Sequence, residues 1–197
     1  MSIEFELKFA ATPQAQQALR AALADGFVTI RMETTYFDTP RGDLAARKWT
    51  LRRRLENGVS VCTLKTPAGS LGRNECEINC ERIEEAIDML CKLSGQDELP
   101  ILAAHGLVPI CGARFTRLAK TLQTGDAEVE VALDSGVLLG GGLEMPLCEV
   151  EVELKSGPPQ EAALYAQIIA QKFGLTPEKR SKFRRAYDLA QKSQKEE

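Results

Sequence analysis

Histidine is almost absent from this chain of 197 residues: His105 is the only one, and no Cys-x-x-Cys pair occurs. That removes the usual nitrogen and sulfur ligands of a zinc site. No apolar run approaches the ~20 residues that cross a membrane as a helix, and the N-terminus shows no signal-peptide pattern. The chain is therefore read as cytoplasmic, with no membrane partner. Net charge is only −3, too little for a global field that would draw nucleic acid or lipid. The glycines at 140–142 are not followed by Gly-Lys-Ser/Thr, so they are read as a hairpin turn and not a Walker loop. The basic run "EKRSKFRR" is one short patch, and no nucleic-acid partner is expected from it. Nor do six cysteines amount to a disulfide framework in a domain of this size. Cys76 and Cys148, each beside a glutamate in an alternating run, should face the apolar side as reduced thiols.

What is present is an ordinary globular balance, 44% apolar and 27% charged, in one domain spanning 1–197. There is no repeat or linker, and the Lys/Glu-rich tip after Ala190 should fray. "IEFELKF" opens the chain with strand-like alternation. "TPQAQQALRAALADG" reads as a helix with Thr12 as N-cap, Pro13 at its first position, and an apolar stripe through Ala15, Ala18, Leu19, Ala22 and Leu23. "VTIRMETTYFDTP" reads as extended. "WTLRRRLENGVSVCTLKTP" is a hairpin around Asn57-Gly58, the dipeptide suited to a type I′ turn. "GRNECEINCE" is a further strand, followed by a helix that Gly95 ends and a short helical piece over 99–104. "ARFTRLAKTLQTG", "AEVEVALDSG" and "GVLLGGGLEMP" suggest three strands with glycine turns, and "LCEVEVELKSG" the last long one. Two helices, "PPQEAALYAQIIAQKFG" and "PEKRSKFRRAYDLAQKS", close the chain. About eight strands joined largely by hairpins, with inserted helices, predict an α+β fold built on an eight-stranded antiparallel β-barrel.

The charges fall on strand faces in rows of one sign. Glu4 and Glu6 precede Lys8 on the first strand. Arg52 and Arg54 face Lys65 across the hairpin. Glu75 and Glu77 share a face with Arg73; Glu128 and Glu130 are in phase with Asp134; Glu149, Glu151 and Glu153 lead to Lys155. Arg114 and Arg117 fall on opposite faces of a regular strand. Same-face carboxylates ~6.5 Å apart along a strand repel by ~2–3 kcal/mol at an effective dielectric near 20. Such rows suit cations: hard carboxylate oxygens fit Mg²⁺ or Mn²⁺, and rows of Arg and Lys fit phosphate oxygens. The expectation is a barrel with a polar lumen and apolar outer positions (Ile3, Phe5, Leu7, Val150, Val152, Leu154) packed under peripheral helices. Its partner would be a polyphosphate that travels with divalent metal. By its odd spacing from Lys65, Cys62 should point away from the lumen.

Glu4-Phe-Glu6-Leu-Lys8 resembles the ExExK signature of the CYTH domain, or triphosphate tunnel metalloenzyme, family. "YFDTP", "LRRR", "TLK", "NECE", "CEVEVELK" and "SKFRRAYDLA" follow in family order, so the resemblance covers essentially the whole chain. It is nearest to the N-terminal domain of bacterial inorganic triphosphatases. The resemblance implies a metal-dependent hydrolase that cleaves inorganic triphosphate to diphosphate and phosphate. Glu4 and Glu6 would hold one metal; Glu151 and Glu153, with Glu149, would hold a second and position water. Lys8, Arg52, Arg54, Lys65 and Arg117 match phosphate-binding positions, and Lys182 would cap the tunnel and touch the phosphates. Glu75, Glu77, Glu130 and Asp134 match further acidic positions, and Tyr36 a site that supports a lysine or packs. Thiamine or nucleotide triphosphate hydrolysis, adenylate cyclisation and non-catalytic polyphosphate binding are the alternatives. Relatives commonly carry a CHAD domain behind this one; a missing CHAD domain and a homodimer are both compatible with the sequence.

Overall fold

The structure, a computed structural model, describes residues 2–3, 5–68 and 72–196, the side chains at 2, 3 and 194–196 excepted. Ten antiparallel segments form one sheet: β1 (Ser2–Ile3), β2 (Glu6–Ala10), β3 (Val28–Asp38), β4 (Thr50–Glu56), β5 (Val59–Ala68), β6 (Gly72–Asn79), β7 (Val108–Thr124), β8 (Ala127–Gly140), β9 (Leu143–Ser156) and β10 (Thr176–Pro177). Their order is β1-β6-β5-β4-β3-β7-β8-β9-β2-β10. The N-terminal stretch holds both ends of that sheet, because β1 pairs with β6 while β2 pairs with β9. Two segments separated by two residues can reach opposite ends only if the sheet curls until those ends meet. Counted as one strand, β1 and β2 make eight strands with the seven long ones, and the expected barrel follows. The ladder of hydrogen bonds is not itself continuous around the ring.

Six helices complete the fold: α1 (Pro13–Leu23), α2 (Asp43–Ala46), α3 (Ile83–Ser94), α4 (Glu98–Ala103), α5 (Pro159–Phe173) and α6 (Lys182–Glu196). The Thr12 hydroxyl accepts from Ala15 N–H at 3.1 Å, as its place before Pro13 requires. The stripe expected on α1 is only partly buried: Leu19 is in the core, but Ala18 and Ala22 are exposed and Gln16 is buried in their place. Its amide donates to the carbonyls of Asp134 and Glu149 at 3.0 and 2.6 Å, tying α1 to β8 and β9. α2 was not legible as a helix. Asp38 makes it, accepting the N–H groups of Thr39, Leu44 and Ala45 at 2.7, 2.9 and 3.0 Å. Asn57 and Gly58 have φ of 51° and 90°, the left-handed pair of a type I′ turn.

Two differences from the sequence reading matter for the site. Ser135-Gly136 is no turn: β8 runs straight through it, and the hairpin lies at Gly141-Gly142, whose φ values are 58° and 75°. The last helix starts at Lys182, after Thr176 and Pro177 have paired with Ala10 and Phe9. Ser181 caps it, its hydroxyl accepting from Arg184 N–H at 3.1 Å.

Apolar packing lies mostly outside the barrel. Val129, Val131, Val150 and Val152 meet Leu19 of α1 and Ala162, Ala166 and Ile169 of α5, with Leu7 and Leu154 alongside. Leu51, Cys62, Leu64 and Cys76 meet Ile83, Ile87 and Leu90 of α3 and Leu99 and Leu102 of α4. Cys62 is fully buried here, on the face away from Lys65, as its spacing predicts. α6 is the exception. It packs with Ala113, Phe115, Leu138 and Leu147, positions in phase with Arg117, Asp134 and Glu149. The last helix therefore covers the inner face of β7–β9 and plugs one end of the barrel. Gly140 permits this approach, since a Cβ there would lie 2.7 Å from Ala190 N.

Candidate active site in the barrel lumen

Strand alternation carries the charged rows into one cavity of about 860 Å³. Glu6, Lys8, Arg52, Arg54, Lys65, Glu75, Glu77, Arg117, Glu130, Glu151, Glu153 and Lys182 all line it. Tyr36 also lines it and packs its ring on Phe183, the centroids 5.1 Å apart. Glu4 lies outside the described residues. Arg114 is exposed on the outer face and pairs with Glu144. His105 is exposed just past α4.

In the strand order β9 lies four places round the ring from β4, so the two face each other across the lumen. One wall is acidic. Glu6, Glu153 and Glu130 stand directly opposite one another across β2, β9 and β8. Like charges directly opposite in such register are destabilising. Lys8 offsets part of this at 2.9 Å from Glu6, and Lys155 does so at 2.9 Å from Glu153 and 3.6 Å from Glu130. The other wall is basic. Arg52 lies 3.1 Å from Glu75 and 3.3 Å from Glu77, Lys65 is 2.8 Å from Glu75, and Arg54 pairs with Glu56 and, at 3.6 Å, with Glu77. Arg73 joins this wall by donating to Thr50 Oγ1 at 3.1 Å. Burial weighs on Arg54 more than its acidic partners offset. Burial and the neighbouring Arg52 hold its guanidinium below the usual range despite Glu56 and Glu77. Its Nε is buried with no hydrogen-bond acceptor among the described residues. An incoming anion would relieve both conditions.

Between the walls, next to the plug, sits a buried cluster. Asp134 and Glu149 are 0% exposed and stand opposite one another across β8 and β9. With Glu151 they bring three carboxylate oxygens within 4.8 Å of one another. Three bases answer them. Arg117 grips Asp134 with two hydrogen bonds of 2.8 and 2.7 Å and also reaches Glu151. Arg185 donates to Glu149. Lys182 Nζ lies 2.8 Å from Asp134, 2.6 Å from Glu149 and 2.6 Å from Glu151. Burial would raise the Glu151 carboxyl and lower the Lys182 ammonium. The opposite charges win in both cases, so Glu151 is held well below the carboxylate range and Lys182 well above the amine range.

Hard carboxylate oxygens at this spacing suit a divalent cation. Of the three acids of the cluster only Glu151 lines the cavity, where Glu6 and Glu153 stand with it. Glu149 and Asp134 lie behind that wall, already matched by bases. Arg185 escaped the sequence reading, although its place three residues after Lys182 on one helix puts both on the same face. Arg73 and Lys155, in phase with the acids in the sequence, also line the lumen.

An antiparallel barrel with opposed acidic and basic inner walls and a helical plug defines the tunnel class of β-barrel proteins. The chain belongs to the CYTH domain family, whose model matches residues 2–187. It is 30% identical to the inorganic triphosphatase of Haemophilus influenzae, a match covering 96% of this chain and 55% of that protein. The chain thus spans about half the length of that relative. Among solved structures it is similar to a Hippeastrum protein described as an adenylyl cyclase candidate with a dominant triphosphatase activity (TM-score 0.67, 24% identity, covering 91% of this chain and 93% of that one). It is also similar to a Bacillus halodurans protein described as an adenylate cyclase candidate (TM-score 0.61, 16% identity, covering 91% and 94%). At these identities the structures establish the fold alone.

Proposed function

We propose that this chain hydrolyses inorganic triphosphate to diphosphate and phosphate within the barrel, with Mg²⁺ or Mn²⁺, two ions in all, as cofactor. The observation that carries the reading is a single cavity with Glu6, Glu151 and Glu153 on one wall and Arg52, Arg54 and Lys65 on the other. The similarity to an inorganic triphosphatase supports it. Arg52, Arg54, Lys65 and Lys8 bind and align the phosphate chain, Arg by its fork and Lys as a point charge. Arg117 and Lys182 lie where the plug meets the lumen and offset charge on the phosphates nearest it. Glu6, Glu151 and Glu153, together with the Glu4 of the sequence motif, are the residues that would hold the cations. A divalent cation bound there supplies neutralisation of phosphate charge and a lowered pKa for water. Glu151 and Glu153 orient the water that attacks the terminal phosphorus as the bridging P–O bond breaks and diphosphate leaves. No serine or cysteine nucleophile is needed. Six free thiols and no helix, among the described residues, long and apolar enough to cross a membrane fit a cytoplasmic setting.

A second reading, hydrolysis or cyclisation of an organic triphosphate, rests on one feature. A side cavity of about 370 Å³ lined by Trp49, Phe183 and Tyr187 adjoins the lumen and shares Thr50, Arg73, Ser181 and Phe183 with it. One assay separates the readings: incubate the chain with triphosphate, thiamine triphosphate or ATP and either metal, then resolve phosphate, diphosphate and cyclic AMP. The expected result is phosphate and diphosphate from inorganic triphosphate. Glu6→Gln and Glu153→Gln should each cut that rate by about 10²–10³-fold with the fold intact, and Glu4→Gln likewise. Preferred turnover of an organic substrate would favour the second reading. Tight binding of triphosphate without product would reduce the chain to a polyphosphate-binding module.

A further inference from the structure

The buried cluster divides its hydrogen bonds unevenly. Both oxygens of Asp134 are taken by Arg117, at 2.8 and 2.7 Å. Glu149 Oε1 is taken by Arg185. Lys182 Nζ touches all three carboxylates, 2.8 Å from Asp134 and 2.6 Å from both Glu149 and Glu151, and among the described residues it donates its hydrogen bond to Glu151. Its contact with Glu149 Oε2 is an ion pair without hydrogen-bond alignment, and that oxygen has no hydrogen-bond partner among the described residues. Of the three acids, only Glu151 lines the lumen. Arg117 thus bridges Asp134 and Glu151, Arg185 holds one oxygen of Glu149, and Lys182 divides its charge between Glu149 Oε2 at the back and Glu151 at the front.

We propose that Arg185 is a positioning residue: by satisfying Glu149 it keeps the Lys182 ammonium turned toward Glu151 and the phosphate channel. This rests on the reading of the lumen as a polyphosphate site. A fully buried carboxylate is costly to leave unpaired. With Arg185 removed, Lys182 would be the one cation left within reach of Glu149 among the described residues, and the ammonium, already 2.6 Å from its Oε2, would be drawn off Glu151 and away from substrate. Helix geometry makes the coupling direct, because residues three apart on α6 share a face. Arg185 is itself buried, and Gly140 lets α6 lie close on the barrel. Arg185 does not line the cavity, so it acts on a bound anion without touching it.

Binding of inorganic triphosphate in EDTA, followed by calorimetry, tests the proposal without turnover or metal. Lys182→Ala should weaken binding about tenfold, one charge-assisted contact being lost. Arg185→Ala should weaken it three- to tenfold, and should add nothing in the Lys182→Ala background. Glu149→Gln combined with Arg185→Met removes the buried pair together and should bind within threefold of wild type. That variant also decides the matter should Arg185→Ala not fold. An Arg185 effect that persists in full without Lys182, or wild-type binding by Arg185→Ala, overturns the proposal. So does a Glu149→Gln/Arg185→Met variant as weak as Lys182→Ala. If triphosphate binds in this pattern but is never hydrolysed, the hydrolase reading fails while the positioning role stands.

Discussion

Lys182 and Glu151 show how far single residues were legible. Alternation along "CEVEVELK" put Glu151 on a charged face, and the Ser-Lys pair marked Lys182. Nothing local said that Asp134 and Glu149, in the same phase, would be fully buried while Glu153 stays partly open, because α6 decides that and it arrives from far along the chain. The pair also fixes a pH response in metal-free protein. Glu151 is depressed in the folded state, so its contribution to stability is complete above the ordinary carboxylate pKa of about 4.3 and is lost as pH falls toward the folded value. Lys182 is raised, so its contribution is complete below about 10.4 and is lost as pH rises through the folded value. The expected thermal-midpoint profile is a plateau that falls on both sides. Glu151→Gln should flatten the acid limb and Lys182→Ala the alkaline one, as differential scanning fluorimetry across pH would show.

At the scale of elements, the hairpin at Asn57-Gly58 and the α1 cap at Thr12 were legible because each is set by local backbone chemistry. β8 was misread because Ser135-Gly136 carries the composition of a turn. Gly136 serves the neighbouring strand instead: a Cβ there would lie 2.5 Å from Phe115 Cα, so only glycine lets β7 and β8 pair through this point. The start of α6 was placed too early for a related reason. Thr176 and Pro177 add to the free edge of β2, a pairing that no helical periodicity could announce. Gly136→Ala should cost about 1–3 kcal/mol by overpacking. Urea denaturation should show a lower midpoint at an unchanged slope; equal midpoints would mean that the strands yield without cost.

The whole molecule joins an inside-out barrel to a helical plug. Residues 2–10 bind both ends of the sheet, and closure sets the acids of β2, β8 and β9 against the bases of β4 and β5. Neither wall is good sheet chemistry alone: the acids repel in register, and Arg54 is held below its usual range by burial and by Arg52. Together they enclose one cavity with opposed charges on its two walls. The polar lumen was legible from the rows, and the family from their order, but which acids line the lumen and which lie buried against the plug became visible only in three dimensions. The most direct test is phosphate release from inorganic triphosphate as Mg²⁺ is titrated into EDTA-treated protein. The account predicts no release without metal and a saturable rise with it, lost in Glu153→Gln. Release that is unchanged in EDTA, or none at any metal concentration, would contradict it.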